Sequence, residues 1–484
     1  MNPLEETRQI EVAVVGAGPA GLSAALSAAR AGAQVMLIDN YRQPGGQYFR
    51  QLAAEFNPTR MANHQQEGRD LWQQVTATRV ELLTGATVWG AFEGNRLALS
   101  GAGAPAYIQA RTIILATGAY ERVAPFPGWT VPGVMTSGAA QVLLKEQRLI
   151  PGRRILLAGT GPLQLVVAAG LVQAGAEVIA VLEGTPPMRQ AFHRPGPHAL
   201  ALWRQWSRLA EGLSSWLTLR KAGVPFHAGW GVVAAHGQEE LTGVTIAQLD
   251  RQWRPIPDTA RTLECDTLCA SYGFVPATEL ARLLGVRCEW RPEQGGFVPA
   301  CDRYMQSTVP GVFVVGDGAG IGGAGLALVE GQIAGLVAAA QVKETSLDWR
   351  ESAELSENVK RLLPALRREQ RFQRLYGDLF TPGPGLDELA EPDTIICRCE
   401  GVTRCQIGEV VRQGADTLGA VKAVTRCGMG NCQGRVCGPA VTAAVAQEVG
   451  QTRADIGQFR VRPPVFPVPL SALKPTEFDL AESS

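Results

Sequence analysis

The sequence predicts an α/β protein built from two dinucleotide-binding halves, with a small cysteine-rich module near the C-terminal end. Two observations indicate the halves: a βαβ pattern that opens on a Gly-rich turn occurs twice, and both patterns have near-continuous apolar strands of the kind buried in parallel sheets. The third observation is that six of the ten cysteines fall between residues 397 and 437. Because 484 residues exceed one ordinary core, two or three domains are expected.

The first βαβ pattern runs from residue 11 to residue 38 and predicts a dinucleotide site. Gly16, Gly18 and Gly21 form G-x-G-x-x-G at the strand-to-helix turn. The first glycine allows the tight turn, the second lets backbone amides approach a pyrophosphate, and the third lets helix and strand pack closely. Asp39 ends the second strand, where an acid accepts the ribose hydroxyls.

The second pattern, from Arg154 to Glu183, departs from this fingerprint at its third glycine, which is Gln164. A long side chain there weakens the expected nicotinamide site, while Glu183 would favour NAD over NADP because an acid repels a 2′-phosphate. Two interpretations stay open: a half that binds NAD, and a half retained only for structure.

The C-terminal cysteines indicate a metal site. Cys397 and Cys399 form a C-x-C pair, and Cys432 and Cys437 form a C-x₄-C pair. By count, four thiolates suit zinc or an iron–sulfur cluster, but a C-x-C pair is awkward for tetrahedral zinc and suits two ligands on one iron. Cys427 is a rival ligand.

Local signals place this site at two helix starts. Thr403 with Gln406 predicts a capping box after the first cysteine pair, and Gly438 with Pro439 predicts a helix directly after Cys437. Helix N-termini stabilise a negatively charged cluster. Cys405 falls on the first helix and is predicted to be a core thiol.

Composition limits which partners and which cellular location we expect. Lys plus Arg (45) equals Asp plus Glu (45), which argues against nucleic acid or an acidic membrane surface. We expect a cytoplasmic protein without a membrane span, since there is no run of about 18 apolar residues and no signal-peptide pattern at the start. The five histidines are scattered, so no catalytic acid–base residue is predicted.

Three short motifs resemble the two-dinucleotide flavoproteins, a glutathione-reductase-like family. They are Pro44-Gly45-Gly46-Gln47, Ala116-Thr117-Gly118 at the end of an apolar strand, and Gly316-Asp317-Gly318 at the end of another. The resemblance implies FAD, and it implies that the following residues contribute to its site: Gly45, Gly46, Gln47, Thr117, Gly118, Gly316 and Asp317.

The cysteine module is similar to the bacterioferritin-associated-ferredoxin type of [2Fe-2S] domain, which implies Cys397, Cys399, Cys432 and Cys437 as cluster ligands. Over its whole length the chain resembles the flavin/iron–sulfur alpha subunits of heteromeric amino-acid and opine dehydrogenases. This group includes subunits of opine oxidase, of proline and hydroxyproline dehydrogenases, and of hydrogen cyanide synthase.

That resemblance implies an electron-transfer subunit whose FAD-containing, D-amino-acid-oxidase-like partner oxidises the substrate C–N bond. Some members hold an FMN at the subunit interface, some hold a nucleotide other than FAD in this polypeptide, and a small third subunit occurs in some complexes. The electron acceptor stays open. The alternative is a self-sufficient NADH-dependent flavin/iron–sulfur reductase.

The expected organisation has six segments. An FAD-binding domain is interrupted by a degenerate NAD-like domain, and a helical connector, the [2Fe-2S] domain and a Pro-rich extended tail follow. The corresponding residues are 1–125, 126–250, 251–345, 346–390, 391–455 and 456–484.

Overall fold

The computed structural model describes residues 7–51, 63–185, 206–343 and 353–473. The chain forms two compact units, each built from separate stretches of sequence. The first unit comprises Met1–Ala119, Pro276–Gln373 and Val461–Ser484, and the second comprises Tyr120–Val275 and Arg374–Arg460.

A seven-stranded sheet forms the centre of the first unit. Val15 pairs with Ile38 and with Leu115, and Leu115 also pairs with Val314, all in parallel register. The turns that follow these strands therefore lie at one edge of the sheet. In spatial order the strands are Glu81–Thr84, Val35–Asp39, Thr7–Val15, Tyr107–Leu115, Arg96–Ser100 and Thr87–Phe92, and Val312–Val314 pairs with Tyr107–Leu115.

Two apolar helices of this unit, Pro19–Arg30 and Gly323–Lys343, approach each other closely. A Cβ atom added at Gly331 would lie 2.2 Å from the Ala20 carbonyl oxygen, so only glycine fits there. The second helix is long and apolar enough to cross a membrane, but 56% of its most apolar window is buried inside the protein. The unit also contains the helices Asn63–Thr76 and Glu279–Leu283 and the strands Cys288–Arg291 and Gly296–Pro299.

The second unit contains a five-stranded parallel sheet and an antiparallel three-stranded sheet. The predicted second βαβ pattern is confirmed as Arg154–Gly159, Pro162–Gln173 and Glu177–Glu183. In spatial order the strands of the larger sheet are Phe226–Ala228, Glu177–Glu183, Arg154–Gly159, Thr267–Ser271 and Val134–Thr136, and those of the smaller sheet are Trp230–Gly237, Leu241–Gln248 and Arg261–Glu264. This unit also contains the helices Ser137–Gln147 and Trp206–Lys221. The short strands Ala119–Glu121 and Phe274–Pro276 lie where the chain passes from one unit to the other.

The cysteine-rich module belongs to the second unit and has its own apolar core, which contains Ile407, Val441 and Val445. The Trp129 indole nitrogen donates a 2.6 Å hydrogen bond to the Ile395 carbonyl at the start of this module. Its elements are Ile395–Cys397, Val402–Thr403, Arg404–Arg412, Leu418–Thr425, Gly438–Val449 and Arg453–Ile456.

The connector is helical, as the sequence predicts, whereas the tail differs in part from its prediction. The connector is the helix Ala353–Phe380, which contains Pro364 and ends at the predicted Pro-Gly break; the short helix Gly385–Glu388 follows. In the tail, the Val465 amide donates to the Trp89 carbonyl at 2.7 Å, and the Val465 side chain is buried. The tail therefore contributes to the core of the first unit rather than only covering its surface.

Candidate functional site

The first Gly-rich turn has the close contacts that its glycines predict. Gly16 has a φ of +105°, and a Cβ atom at Gly21 would lie 1.7 Å from the Gly16 carbonyl oxygen. Gly18 differs because its Cβ position is open, with the Gly46 Cα as the nearest atom at 3.8 Å. Gly16 and Gly21 thus maintain the turn, whereas Gly18 leaves free space at its surface.

Asp39 is buried directly beside this turn. Its Oδ2 accepts a hydrogen bond from the Ala17 amide at 2.5 Å, and its Oδ1 accepts one from the Tyr41 amide at 2.7 Å. Burial raises the pKa of Asp39, and both hydrogen bonds oppose this rise. A carboxylate has about four lone-pair sites, so these two bonds leave capacity for ribose hydroxyls.

The Pro44–Gln47 turn folds against the Gly-rich turn. The Gly45 amide donates to the Ala17 carbonyl at 2.8 Å, and a Cβ atom at Gly46 would lie 2.9 Å from the Gly18 Cα. Gln47 is exposed in the same turn. The structure therefore brings the predicted pyrophosphate turn and the predicted flavin turn together.

The other two predicted flavin motifs also meet. The Thr117 hydroxyl donates to the Ala277 carbonyl at 2.7 Å, and the Ala277 amide donates to the Gly118 carbonyl at 2.9 Å. A Cβ atom at Gly318 would lie 3.0 Å from the Thr117 Oγ1. Asp317 Oδ1 accepts from the amides of Gly322 and Gly323 at 3.0 Å each, so this side chain secures the start of the following helix.

Glu330 is a buried acid that the sequence interpretation missed. Its carboxylate accepts a 2.8 Å hydrogen bond from the Gly316 amide, and burial raises its pKa to about 8. The available signal was an acidic residue inside the apolar helix Gly323–Lys343. Glu330 thus supports the turn that carries Asp317.

Five cysteines converge in the second unit. The sulfurs of Cys397, Cys427 and Cys437 all lie within 4.8 Å of one another and are buried. Cys437 interacts with Cys432 and lowers the pKa of that thiol, and the Cys399 and Cys432 sulfurs are 3.9 Å apart. The structure thus groups the four predicted ligands and adds Cys427.

Two of the converging thiols, Cys397 and Cys432, have lowered pKa values. Interaction with Cys437 lowers the pKa of Cys397 to about 5 and that of Cys432 to about 4, whereas the pKa of Cys437 is raised by these same contacts and the pKa of Cys399 is also raised. The thiolate is the form that ligates metal. The thiol donors therefore fit a bound metal ion or an iron–sulfur cluster.

The helix starts predicted around these cysteines are confirmed. Thr403 and Gln406 form the capping box, and the helix Gly438–Val449 begins directly after Cys437. Cys405 was predicted to be a core thiol, and this is wrong. It is half-buried on the first turn of its helix, and its sulfur donates to Glu409 because the apolar face of that helix turns the other way.

Side chains cover the second Gly-rich turn. Glu183 is 3% exposed and accepts hydrogen bonds from the Gln164 side chain at 2.8 Å and from the Gly161 amide at 3.0 Å. Burial raises the pKa of Glu183 to about 7. The Tyr376 hydroxyl would be 3.0 Å from a Cβ atom at Gly161. Groups that would meet a dinucleotide thus contact each other instead.

Comparison with known proteins agrees with this fold. Residues 10–342 match the family model described as pyridine nucleotide-disulphide oxidoreductase, and residues 392–476 match the sarcosine oxidase A3 domain. The chain belongs to the pyridine nucleotide-disulphide oxidoreductase family. It is 37% identical to hydrogen cyanide synthase subunit HcnB of Pseudomonas aeruginosa over 95% of this chain and 97% of that protein.

Further relatives define the group within the family. The chain is 33% identical to one of the opine oxidase subunits of Agrobacterium tumefaciens, over 96% of this chain and 91% of that protein. The crystal structure of L-proline dehydrogenase from P. horikoshii shares the fold with a TM-score of 0.67 at 20% identity, over 97% of this chain and 80% of that one. The predicted resemblance to subunits of opine oxidase and hydrogen cyanide synthase is confirmed, and the chain is an oxidoreductase subunit with an FAD-type α/β fold.

Proposed function

We propose that this chain is the flavin/iron–sulfur electron-transfer subunit of a heteromeric, FAD-dependent amino-acid or opine dehydrogenase of the cytoplasm. Electrons from oxidation of a substrate C–N bond on a partner subunit reach the cofactors of this chain and then an acceptor. The observation that carries the proposal is the convergence of Cys397, Cys399, Cys432 and Cys437 in one unit. The other unit has parallel strands with the Gly-rich turns of an FAD-binding fold.

FAD is the cofactor proposed for the first unit. Gly18 leaves room for a pyrophosphate, Asp39 has lone pairs for the adenosine ribose, and the start of the helix after Asp317 supplies a positive dipole end. Bound flavin supplies the capacity to accept two electrons and release them singly. The residues proposed to hold it are Gly16, Gly18, Gly21, Asp39, Gly45, Gly46, Gln47, Thr117, Gly118, Gly316 and Asp317.

A [2Fe-2S] cluster is the metal group proposed for the second unit. The lowered pKa values of Cys397 and Cys432 favour thiolate ligands, and the C-x-C spacing favours two ligands on one iron over tetrahedral zinc. Bound there, the cluster would accept and release one electron. Cys427 is the remaining thiol of the group and stands as the rival ligand.

The partner is proposed to be a D-amino-acid-oxidase-like subunit with its own FAD. Two features support a partner: the relatives are named as subunits, and the sequence offers no acid–base constellation for substrate oxidation. An FMN at the subunit interface and a small third subunit belong to the same proposal.

The self-sufficient NADH-dependent reductase receives less support. It needs an accessible nicotinamide site, and Glu183 is hydrogen-bonded to Gln164 while the Tyr376 hydroxyl lies over Gly161. These contacts favour the interpretation that the second half is retained for structure.

Co-expression with the candidate catalytic partner tests the proposal. We expect the isolated chain to leave amino acids and opines unoxidised, and the complex to reduce an artificial electron acceptor with one of them. The variant Cys432→Ser in the complex should retain substrate-dependent reduction of the partner flavin but lose transfer to the acceptor. Cys405→Ser is the matched control, because its thiol faces Glu409. Substrate oxidation by the isolated chain would contradict the proposal.

A further inference from the structure

Arg435 is a cation held between two of the proposed cluster ligands. It lies in the short segment from Cys432 to Cys437, and its amide donates to the Cys432 carbonyl at 3.0 Å. The side chain returns to the same carbonyl, with Nη1 3.3 Å from the oxygen. The guanidinium group therefore stays against the backbone of a proposed ligand rather than extending into solvent.

The Arg435 side chain also contacts Tyr120. Arg435 Nε donates to the Tyr120 hydroxyl at 2.7 Å, and the guanidinium carbon is 5.4 Å from the centre of the ring. Both residues belong to the second unit and both are half-buried. Tyr120 follows Gly118 by two residues along the chain, so the strand leaving a predicted flavin turn carries this contact.

The physical effect of such a cation is predictable. Reduction adds one electron, and thus one negative charge, at a site already surrounded by thiolates. A fixed positive charge in a partly buried position stabilises the reduced form more than the oxidised form, so it raises the reduction potential. The double contact to the Cys432 carbonyl and the Tyr120 hydroxyl keeps that charge in place.

We propose that Arg435 is a positioning residue that raises the reduction potential of the cluster and holds the Cys432–Cys437 segment against Tyr120. This inference rests on the proposed function, because it requires the cluster. It predicts that a neutral side chain at position 435 makes the cluster harder to reduce, and that loss of the Tyr120 hydroxyl has a smaller effect in the same direction.

The experiment is an anaerobic redox titration of the full-length chain, monitored by the electron paramagnetic resonance signal of the reduced cluster. At the potential where the wild-type cluster is half reduced, we expect the ratio of reduced to oxidised cluster to fall at least threefold in Arg435→Gln and by a smaller factor in Tyr120→Phe. Arg435→Lys should stay near the wild-type ratio because it keeps the charge. Arg412→Gln is the control, since this exposed arginine of the same module pairs with Glu448.

Iron content separates the outcomes. Arg435→Gln with full iron and an unchanged ratio overturns the inference. If Arg435→Gln loses iron, Tyr120→Phe is compared with wild type instead. A ratio of reduced to oxidised cluster that is the same in Tyr120→Phe and wild type then overturns the inference. Wild-type protein that holds no cluster contradicts the proposed function itself, a result that the iron assay identifies before any titration.

Discussion

Replacing two neighbouring glycines by alanine separates cofactor binding from folding. At Gly18 the backbone φ is −77°, which alanine adopts, and the added methyl group meets only the Gly46 Cα at 3.8 Å. At Gly21 the same methyl group would lie 1.7 Å from the Gly16 carbonyl oxygen. Gly18→Ala should therefore fold normally and obstruct the pyrophosphate position, whereas Gly21→Ala should damage the turn.

The magnitudes follow from these distances. For Gly21→Ala the helix and strand must separate by more than an ångström, and overpacking of this kind costs about 1–3 kcal/mol or more. For Gly18→Ala the free energy of unfolding of the cofactor-free protein should change by about 0.5 kcal/mol or less, because the site is open. Gly18→Ala should instead remove the additional stability that bound FAD gives to the protein, an effect that grows with FAD concentration.

The assay combines the flavin-to-protein absorbance ratio with thermal unfolding in the absence and presence of FAD. We expect Gly18→Ala to purify without flavin, to unfold at the temperature of the cofactor-free wild type, and to gain no stability from added FAD. Gly419→Ala is the control, because its Cβ position is open and lies in the cysteine module. Wild-type flavin content in Gly18→Ala would refute the assignment of this turn to the pyrophosphate.

Three further predictions concern buried groups. Burial raises the pKa of Glu330 to about 8 from its ordinary 4.5, so its stabilising contribution is complete below pH 4.5 and is lost as the pH rises through 8. Between these values the free energy of unfolding should fall by up to about 1.4 kcal/mol per pH unit, and Glu330→Gln should remove this slope in denaturant titrations. NADH added anaerobically to the isolated chain should leave the flavin spectrum unchanged because the second turn is closed, and calorimetry should detect no NADH binding; bleaching would refute the closure. Cys427→Ser should keep the iron content of wild type, since four other thiols are the proposed ligands, and iron loss would instead make Cys427 a ligand.

Local sequence signals predicted the parts of the site that depend on neighbours in the chain. The Gly16–Gly21 turn, the strand ending at Asp39 and the Thr403–Gln406 capping box are each defined within a short segment, and each is confirmed as local structure. The cysteine spacing similarly indicated which thiols would converge. Such features are predictable because their geometry comes from the backbone of a few consecutive residues.

Contacts between distant segments could not be predicted in this way. Glu330 reaches the Gly316 amide from within the helix Gly323–Lys343, and Tyr376 reaches Gly161 from a helix more than 200 residues further along the chain. The approach of Cys427 to Cys397 depends on the packing of the whole module. The Glu330 and Tyr376 contacts have no signal in residue spacing, and the cysteine spacing offers Cys427 only as a rival ligand, because tertiary packing decides where these segments meet.

Iron and acid-labile sulfide analysis of the anaerobically purified chain, with its visible absorption spectrum, decides whether the converging thiols hold a cluster. We expect about two irons and two sulfides per chain. Both should be lost in the double variant Cys432→Ser/Cys437→Ser and retained in Cys405→Ser. Colourless, iron-free wild-type protein, or a cluster that persists in the double variant, would contradict the proposed electron-transfer role.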